Sequence, residues 1–198
     1  MFYFITFILI TSINQNFDIL SLIKGYSLKY IFLLSLLVTL SFANIDAINS
    51  FEADFKQDVT NDKGNVLSYT GHIKAIKPQN ALWSYQTPIQ KEIYVTAYKV
   101  VIVEPEIEQA IVKVIQNDFD FFSMMKNAKE IKKNVYSATF KESKFTIKLK
   151  NAKIDSISYI DEFENSVVIT FTKQIQNRNI DAKTFKVNIP MEYDIIRD

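Results

Sequence analysis

The sequence predicts a mainly β fold with few helices (α+β), built on one antiparallel sheet that curls into a barrel or an open half-barrel. Apolar and polar residues alternate with a period of two over many short, consecutive segments. One stretch, 118–131, breaks this rhythm with apolar residues at helical spacing. With one sheet and few helices, the helices must cover the concave face of the sheet.

The N-terminal region predicts export. Residues 30–43 form an apolar run that follows Lys24 and Lys29 and ends in Ser41-Phe42-Ala43. A basic flank, an apolar core and small residues at the cleavage site are the parts of a signal peptide. We therefore expect cleavage after Ala43, which would leave residues 44–198 as the exported domain. The alternative is an uncleaved anchor, although the run is shorter than the roughly 20 residues that span a membrane.

Residues 1–27 precede this signal peptide and make it unusually long. Signal peptides usually have about 15–30 residues, and Leu28-Lys29-Tyr30 resembles an ordinary start with leucine in place of methionine. We interpret residues 1–27 as an extension upstream of the true start of translation. A genuine additional hydrophobic segment is the alternative.

Composition excludes several classes of function. The chain has no cysteine, so the exported domain has no disulfide, no thiolate nucleophile and no lipid-modified cysteine of its own. We therefore expect a soluble periplasmic protein. Residues 44–198 contain 21 basic and 21 acidic residues, since residues 1–43 hold two lysines and one aspartate. Nucleic-acid binders usually carry a basic surplus, so that class is set aside.

The first half of the exported region predicts a short helix and then strands. Asn44–Ser50 fits a small helix, with Ile45 and Ile48 on one face. Alternation then predicts a strand from residue 51 and a second over 66–77, joined by a turn at 61–65. In the first strand one side is apolar, with Phe51, Ala53, Phe55 and Val59. Further strands are predicted at 80–86, 91–96, 98–104 and 107–115.

In the second half, the sequence pattern predicts one helix, one helical turn and four strands. Asp118 can cap a helix that runs to Ile131, with Lys126, Lys129 and Lys132 near its C-terminus, where they suit the helix dipole. Strands are then predicted at 144–150, 154–161 and 166–173. A helical turn is expected at Asp181–Phe185, and a last short strand at Phe185–Ile189, before Pro190.

Candidate catalytic groups are isolated. His72 is the only histidine, and neither a cysteine nor a Gly-x-Ser-x-Gly motif supplies a nucleophile for it. It is expected as an exposed strand residue without a catalytic or metal-binding partner. Glu104, Glu106 and Glu108 fall on one strand face by spacing, which suits paired carboxylates but indicates a charged outer face near a turn more strongly.

The centre of this pattern resembles a known family. Gly71, then Lys77-Pro78, then Trp83 and then Pro88 are similar to the core motif of the LolA family of periplasmic lipoprotein carriers. The segments 51–57, 104–109 and 187–190 resemble that family's opening strand, middle and end. The resemblance covers about residues 46–198. It implies an open, incomplete antiparallel β-barrel with a short helical lid over a hydrophobic cavity.

The resemblance also implies function, partners and site residues. It implies a monomeric, non-enzymatic carrier without cofactors, which takes acylated lipoproteins from an ABC-type release complex in the inner membrane to an outer-membrane acceptor. Lys77 stands where the family usually has an arginine that holds the lid closed, and we expect it at the cavity rim, in contact with backbone carbonyls. The other residues that it implies for the cavity and lid are Phe51, Phe55, Trp83, Phe121, Phe122, Met124 and Met125.

Two other functions stay open at this point. The first is a periplasmic lipid-binding or sensor module on the same half-barrel. The second is an envelope hydrolase, against which the absence of a nucleophile–base pair argues. For the Phe- and Met-rich helix and for Trp83, ordinary core packing is the alternative to lining a cavity.

Overall fold

A long β-hairpin opens the domain in this computed structural model, which describes residues 45–115, 121–140 and 142–197. β1 (Ser50–Thr60) pairs antiparallel with β2 (Val66–Ile76) along its whole length. The Asn61 side chain closes the turn between them, because its Oδ1 accepts hydrogen bonds from the backbone N–H groups of Lys63 and Asn65. The hairpin and its turn confirm the prediction. The expected signal peptide, residues 1–43, lies outside the described residues.

Four further strands confirm the predictions for the first half of the chain: β3 (Asn80–Thr87), β4 (Lys91–Val95), β5 (Lys99–Glu104) and β6 (Gln109–Val114). The second half contributes β7 (Lys129–Lys132), β8 (Val135–Phe140), β9 (Ser143–Lys150), β10 (Lys153–Ile160), β11 (Ser166–Gln176) and β12 (Asp194–Arg197). Of these, β9, β10 and β11 match predicted strands, whereas β7, β8 and β12 were not predicted.

These strands form one open sheet. Within the described residues its order is β12-β6-β5-β4-β3-β2-β1-β11-β10-β9-β8-β7. Every neighbouring pair is antiparallel except β12, which runs parallel to β6. β12 and β7 are the two edges and do not pair with each other, so the sheet does not close. The expected incomplete antiparallel barrel is confirmed.

The helix is shorter than predicted. Helix α1 (Phe121–Lys126) ends where the N–H of Asn127 donates to the carbonyl of Ser123, and the predicted cap Asp118 lies outside the described residues. The prediction that the helix continues to Ile131 with Lys129 and Lys132 in its last turns is wrong. Both lysines lie in β7, whose backbone groups pair with β8 instead of extending the helix.

Two other predicted elements differ in the structure. At the N-terminal side, a 3₁₀ turn at Ile45–Ala47 replaces the helix expected over 44–50, and β1 already begins at Ser50. Ile45 and Ile48 are nevertheless both buried, as their spacing predicted. Near the C-terminus, the expected turn is a 3₁₀ helix at Ala182–Phe185, with the Asp181 side chain accepting from the N–H of Lys183.

The predicted strand at Phe185–Ile189 is wrong. Val187 and Ile189 instead pack side-on against one face of the sheet, over a small apolar cluster of Tyr94, Val101 and Val103. Their alternation reflects this one-sided burial rather than strand pairing, and the chain joins the sheet only later, as β12. No helix within the described residues is long and apolar enough to cross a membrane.

Candidate functional site

The opposite face of the sheet, here called the inner face, lines a half-open cavity of about 350 Å³. Strands β4 and β9 lie on either side of β1 in the sheet, yet both contribute to the same wall, so the sheet curls around the cavity. Ligand pockets in proteins usually measure about 300–1,000 Å³. The lining residues are Gln57, Trp83, Tyr85, Ile93, Val95, Phe121, Met124, Phe145, Ile157, Tyr159 and Ile169.

The floor of this cavity is an aromatic cluster of Phe55, Trp83 and Tyr85, of which Trp83 and Tyr85 line the cavity directly. The ring of Phe55 lies edge-on to the rings of Trp83 and Tyr85, with centroids 5.2 and 5.0 Å apart. Phe55 reaches this position because Gly71, its partner on β2, has no side chain. A Cβ atom at Gly71 would lie 2.7 Å from the Phe55 ring and would overlap the carbonyl oxygen of Ser84.

The polar side chains that line the cavity are uncharged, and two of them form a hydrogen bond with each other. The Tyr85 hydroxyl donates a 2.7 Å hydrogen bond to Oε1 of Gln57. Burial raises the pKa of Tyr85, and the nearby Tyr159 and Tyr69 add to this effect. Burial also raises the pKa of Tyr159. None of the described lining residues carries a charge at neutral pH, so the cavity suits an uncharged, apolar guest.

Helix α1 covers one end of the cavity. Its four apolar side chains are all buried, with Met125 only 1% exposed. Phe121 and Met124 line the cavity, and the Phe121 ring lies 5.4 Å from the Phe51 ring of β1, centroid to centroid. Phe122 closes a second, smaller hollow beside Ala81 and Trp83. Thioethers adapt to irregular apolar surfaces, which suits a wall that meets guests of varied shape.

Lys77 lies where β2 ends and the helix packs against the sheet. Its backbone N–H donates to the carbonyl of Asn49 at 2.9 Å. Its Nζ lies 5.9 Å from the centroid of the Phe122 ring, within the range of a cation–π contact. The side chain thus joins the end of β2 to the helix.

Comparison with known proteins identifies the family of this chain. A family model described as outer membrane lipoprotein carrier protein LolA matches residues 46–138. The outer-membrane lipoprotein carrier protein of Campylobacter jejuni is 42% identical over 149 residues, which cover 75% of this chain and 87% of that protein. The chain belongs to the LolA family.

Other LolA relatives agree with this membership. The carrier protein of Wolinella succinogenes is 33% identical over 159 residues, covering 80% of this chain and 92% of that protein. A solved LolA superfamily protein from Nitrosomonas europaea has a TM-score of 0.51 at 10% identity, covering 73% of this chain and 94% of that one. The structural likeness shows the fold, and the sequence matches show the family.

The structure brings most of the LolA-type residues expected from the sequence to one place. Trp83, Phe121 and Met124 line the cavity. The others pack directly around it or at the base of the helix: Phe51, Phe55, Phe122, Met125 and Lys77. Sequence reasoning missed the remaining lining residues. The alternation did contain a signal for two of them, because Gln57 follows Phe55 by two positions and Tyr85 follows Trp83 by two.

His72 has partners that the sequence did not reveal. Its Nδ1 lies 2.8 Å from Oδ1 of Asp54, and its Nε2 lies 3.1 Å from Oε1 of Glu52. The expected exposed position is wrong: the ring is half-buried, because both carboxylates come from the neighbouring β1 and cover part of it. The hydrogen bond from His72 lowers the pKa of Asp54, and the ammonium of Lys173, 2.9 Å away, lowers it further.

This charged group is separate from the cavity. Glu52, Asp54 and His72 alternate with the buried residues of β1 and β2, so they lie on the outer face of the sheet. Glu104, Glu106 and Glu108 do not share a strand face, contrary to their spacing. Glu104 ends β5, Glu106 lies in the 3₁₀ turn Pro105–Ile107, and Glu108 takes a left-handed conformation.

Proposed function

We propose that this protein carries acylated lipoproteins through the periplasm by enclosing their acyl chains in the cavity of the inner face. The observation that carries this proposal is the uncharged cavity itself, walled by aromatic and aliphatic residues and covered by a helix rich in Phe and Met. The family membership supports the same function, because the relatives are named outer-membrane lipoprotein carrier proteins.

Acyl-chain burial explains how such a site acts without covalent chemistry. Each methylene removed from water contributes about 0.8 kcal/mol, so ten buried methylenes contribute about 8 kcal/mol. A wall without charges avoids the cost of burying an ion when the acyl chain enters. Binding and release then depend on apolar area and on the position of α1. The function proposed here is binding, without a catalytic step.

We propose that α1 acts as a lid. The cavity of about 350 Å³ is at the low end of the range for drug-sized ligands, and a lipoprotein anchor with several acyl chains is larger. We therefore expect the helix to move away from the sheet as the cargo enters. Four buried side chains hold the helix in place, and its described part, Phe121–Lys126, is too short to be stable on its own.

The partners follow from this role. A carrier that is exported by residues 1–43 receives its cargo at the inner membrane, from a release complex of the ABC type. It delivers the cargo to an acceptor at the outer membrane. Residues 44–198 are the mature, monomeric carrier domain in this proposal.

A matched pair of variants on β11 tests the proposal. Ile169 is buried and lines the cavity, whereas its neighbour Val168 is exposed on the outer face. Ile169→Glu should abolish binding of a fluorescent fatty acid and uptake of lipoprotein, because it places a carboxylate against the acyl chain. Val168→Glu should leave both unchanged. Equal binding by the two folded variants would exclude the cavity as the cargo site.

A periplasmic lipid-binding or sensor module is the second candidate, favoured by the same neutral cavity. Mass spectrometry of the molecules that co-purify with the protein from the periplasm distinguishes the two. Lipoproteins or their acylated N-terminal peptides support the carrier, and free lipid alone supports the second candidate.

A further inference from the structure

Six connecting segments of the chain meet at one end of the sheet, here called the turn end. The turns between β1 and β2, β3 and β4, β5 and β6, β8 and β9, and β10 and β11 lie there, because each of these pairs is antiparallel and the alternating strand directions bring these turns to the same end. The segment 190–193 joins them, because β12 starts beside the first residue of β6.

Five of these six segments have a large exposed apolar residue within the turn or directly beside it, and the β8–β9 turn has none. Phe163 is 76% exposed, Ile107 is 62% exposed, and Met191 is almost fully exposed. Ile89 is exposed in the β3–β4 turn, and Val66 is exposed where β2 begins. A single exposed apolar side chain is ordinary on a protein surface. Its repetition in five of the six segments at one end indicates a surface that another molecule covers.

The turn end is also strongly acidic. Eight carboxylates and two lysines, Lys63 and Lys141, lie in the ranges 61–65, 88–90, 105–108, 141–142, 161–165 and 190–193. The opposite end differs: the segments 45–49, 77–79, 96–98, 133–134, 151–152 and 177–181 contain three basic residues and two acidic ones. Since residues 44–198 contain equal numbers of acidic and basic residues, this separation is a property of the arrangement and not of the composition.

The turn end lies beside the cavity. Tyr159 lies one position before the last residue of β10, and Tyr85 lies two positions before the end of β3, both at this end. Helix α1 packs instead against the 3₁₀ turn Ile45–Ala47, which precedes β1 at the opposite end. A molecule bound to the turn end would thus sit next to the part of the cavity that the helix leaves uncovered.

We propose that the turn end is the docking surface for a membrane protein that presents an apolar groove bordered by lysine and arginine side chains. The exposed apolar residues supply buried area, and the carboxylates steer and align a basic partner. A bare phospholipid surface does not fit, because its anionic lipids repel the acidic turns. This inference rests on the proposed function, since it names the kind of protein that hands cargo to the carrier or takes it away.

The test compares binding of variants to membranes with and without their proteins. Right-side-out inner-membrane vesicles and inside-out outer-membrane vesicles, both with the periplasmic face outward, are prepared from the bacterium that produces the carrier. Liposomes of the extracted lipids and protease-treated vesicles serve as the protein-free surfaces. Two double variants change the turn end. The first combines Phe163→Ser with Ile107→Ser, and the second combines Glu162→Lys with Glu164→Lys. The controls at the opposite end are Tyr98→Ser, an equally exposed aromatic residue, and Lys132→Glu with Lys133→Glu.

We expect the carrier to bind untreated vesicles of at least one membrane and to lose this binding after protease treatment. Both turn-end variants should bind about tenfold more weakly or worse, as for central interface residues, and the controls should bind normally. About 1 M salt should weaken binding of the wild type, because the Debye length falls to about 3 Å. Equal binding by variants and wild type, equal binding to liposomes, or no binding to either vesicle would overturn the proposal. Fluorescent fatty-acid binding, measured in parallel, reports separately on the cavity and thus on the proposed function.

Discussion

At the scale of single residues, Gly71 shows how one missing side chain shapes the cavity floor. A methyl group there would overlap the Ser84 carbonyl and the Phe55 ring. Gly71→Ala should therefore lower the free energy of unfolding by about 1–3 kcal/mol, as overpacking does, and push Phe55 toward Trp83. Urea unfolding and fatty-acid binding measure the two effects, and both should decline.

Gly64→Ala is the control for this prediction. Gly64 lies in the β1–β2 turn with φ of +79°, and a Cβ atom at this position would have no neighbour within 4 Å. Alanine there strains the backbone without touching the cavity. It should cost about 1–2 kcal/mol of stability and leave fatty-acid binding unchanged. Wild-type stability and binding in Gly71→Ala would show that the floor tolerates the methyl group.

Asp54 predicts a pH dependence of stability. Its pKa is lowered in the folded state by the hydrogen bond from His72 and by Lys173. Ionised Asp54 therefore stabilises the fold above its ordinary pKa of 3.8, and this contribution is lost as the pH falls through the lower folded value. Wild type should exceed Asp54→Asn in stability at pH 7, by at most about 1 kcal/mol for so exposed a pair, and the two should converge once the pH falls below the folded pKa of Asp54.

The same substitution in a His72→Ala variant tests whether the hydrogen bond from His72 causes this stabilisation. In His72→Ala the hydrogen bond from the imidazole to Asp54 is absent, so the same Asp54→Asn change should reduce the stability at pH 7 by a smaller amount. Thermal unfolding at pH 7 measures the stability of the wild type, of Asp54→Asn, of His72→Ala and of the double variant. An unchanged effect in the His72→Ala background would assign the stabilisation to Lys173 alone.

At the scale of elements, the contact between the end of β2 and helix α1 predicts how the lid is balanced. The Lys77 ammonium lies over the Phe122 ring, and a cation–π contact contributes about 0.5–2 kcal/mol. Lys77→Leu should therefore favour the open lid, strengthen fatty-acid binding up to about tenfold and slow lipoprotein transfer to acceptor membranes. Lys77→Arg should transfer cargo normally, because arginine also places a cation on the ring.

Lys74→Leu is the matched control for the lid prediction. Lys74 lies three positions earlier on β2, with its Nζ 3.8 Å from Oε1 of Glu52 on the outer face. The same substitution there removes a lysine without affecting the helix, and transfer should be normal. If Lys77→Leu also transfers cargo at the wild-type rate, Lys77 has no role in holding the lid.

The elements also show how far the sequence predicts this fold. Alternation of apolar and polar residues identified β1, β2 and β9 to β11, where it is strongest in β9 and β11. Strands β3 to β6 were identified although residues on both of their faces are partly buried. Alternation failed for β7, whose residues are all exposed, since an edge strand without a buried face leaves no periodic pattern. It also failed at Val187 and Ile189, where one-sided burial mimicked a strand.

The candidate site was predictable to a similar extent. Trp83 and the helix residues were found through the family motif and the helical spacing. Phe145, Ile157 and Ile169 were not found, because they belong to strands far along the chain that reach the cavity only when the sheet curls. Local periodicity assigns a residue to a face but carries no information on which strands share a wall.

At the scale of the whole molecule, the open sheet has an apolar region on each face, and the two regions differ in how they are covered. The outer face of β3 to β6 is covered permanently by the C-terminal segment with Val187, Ile189 and Tyr193. The inner face is covered in part only by α1, and a cavity remains. The permanent cover lets the sheet stay folded without closing into a barrel, so that the inner face is left for a guest.

Because the cavity of the inner face is left free, we expect a fatty acid that binds there to stabilise the whole domain. A ligand at about 100 times its Kd adds about 2.7 kcal/mol to the free energy of unfolding when it binds only the folded state. For a domain of about 150 residues, each kcal/mol raises Tm by about 2–4 °C, so saturating fatty acid should raise Tm by about 5–11 °C. Differential scanning calorimetry of residues 44–198 measures the shift. Ile169→Glu should show no rise, because its cavity no longer accepts the chain, and a rise of equal size in that variant would mean that the fatty acid binds elsewhere.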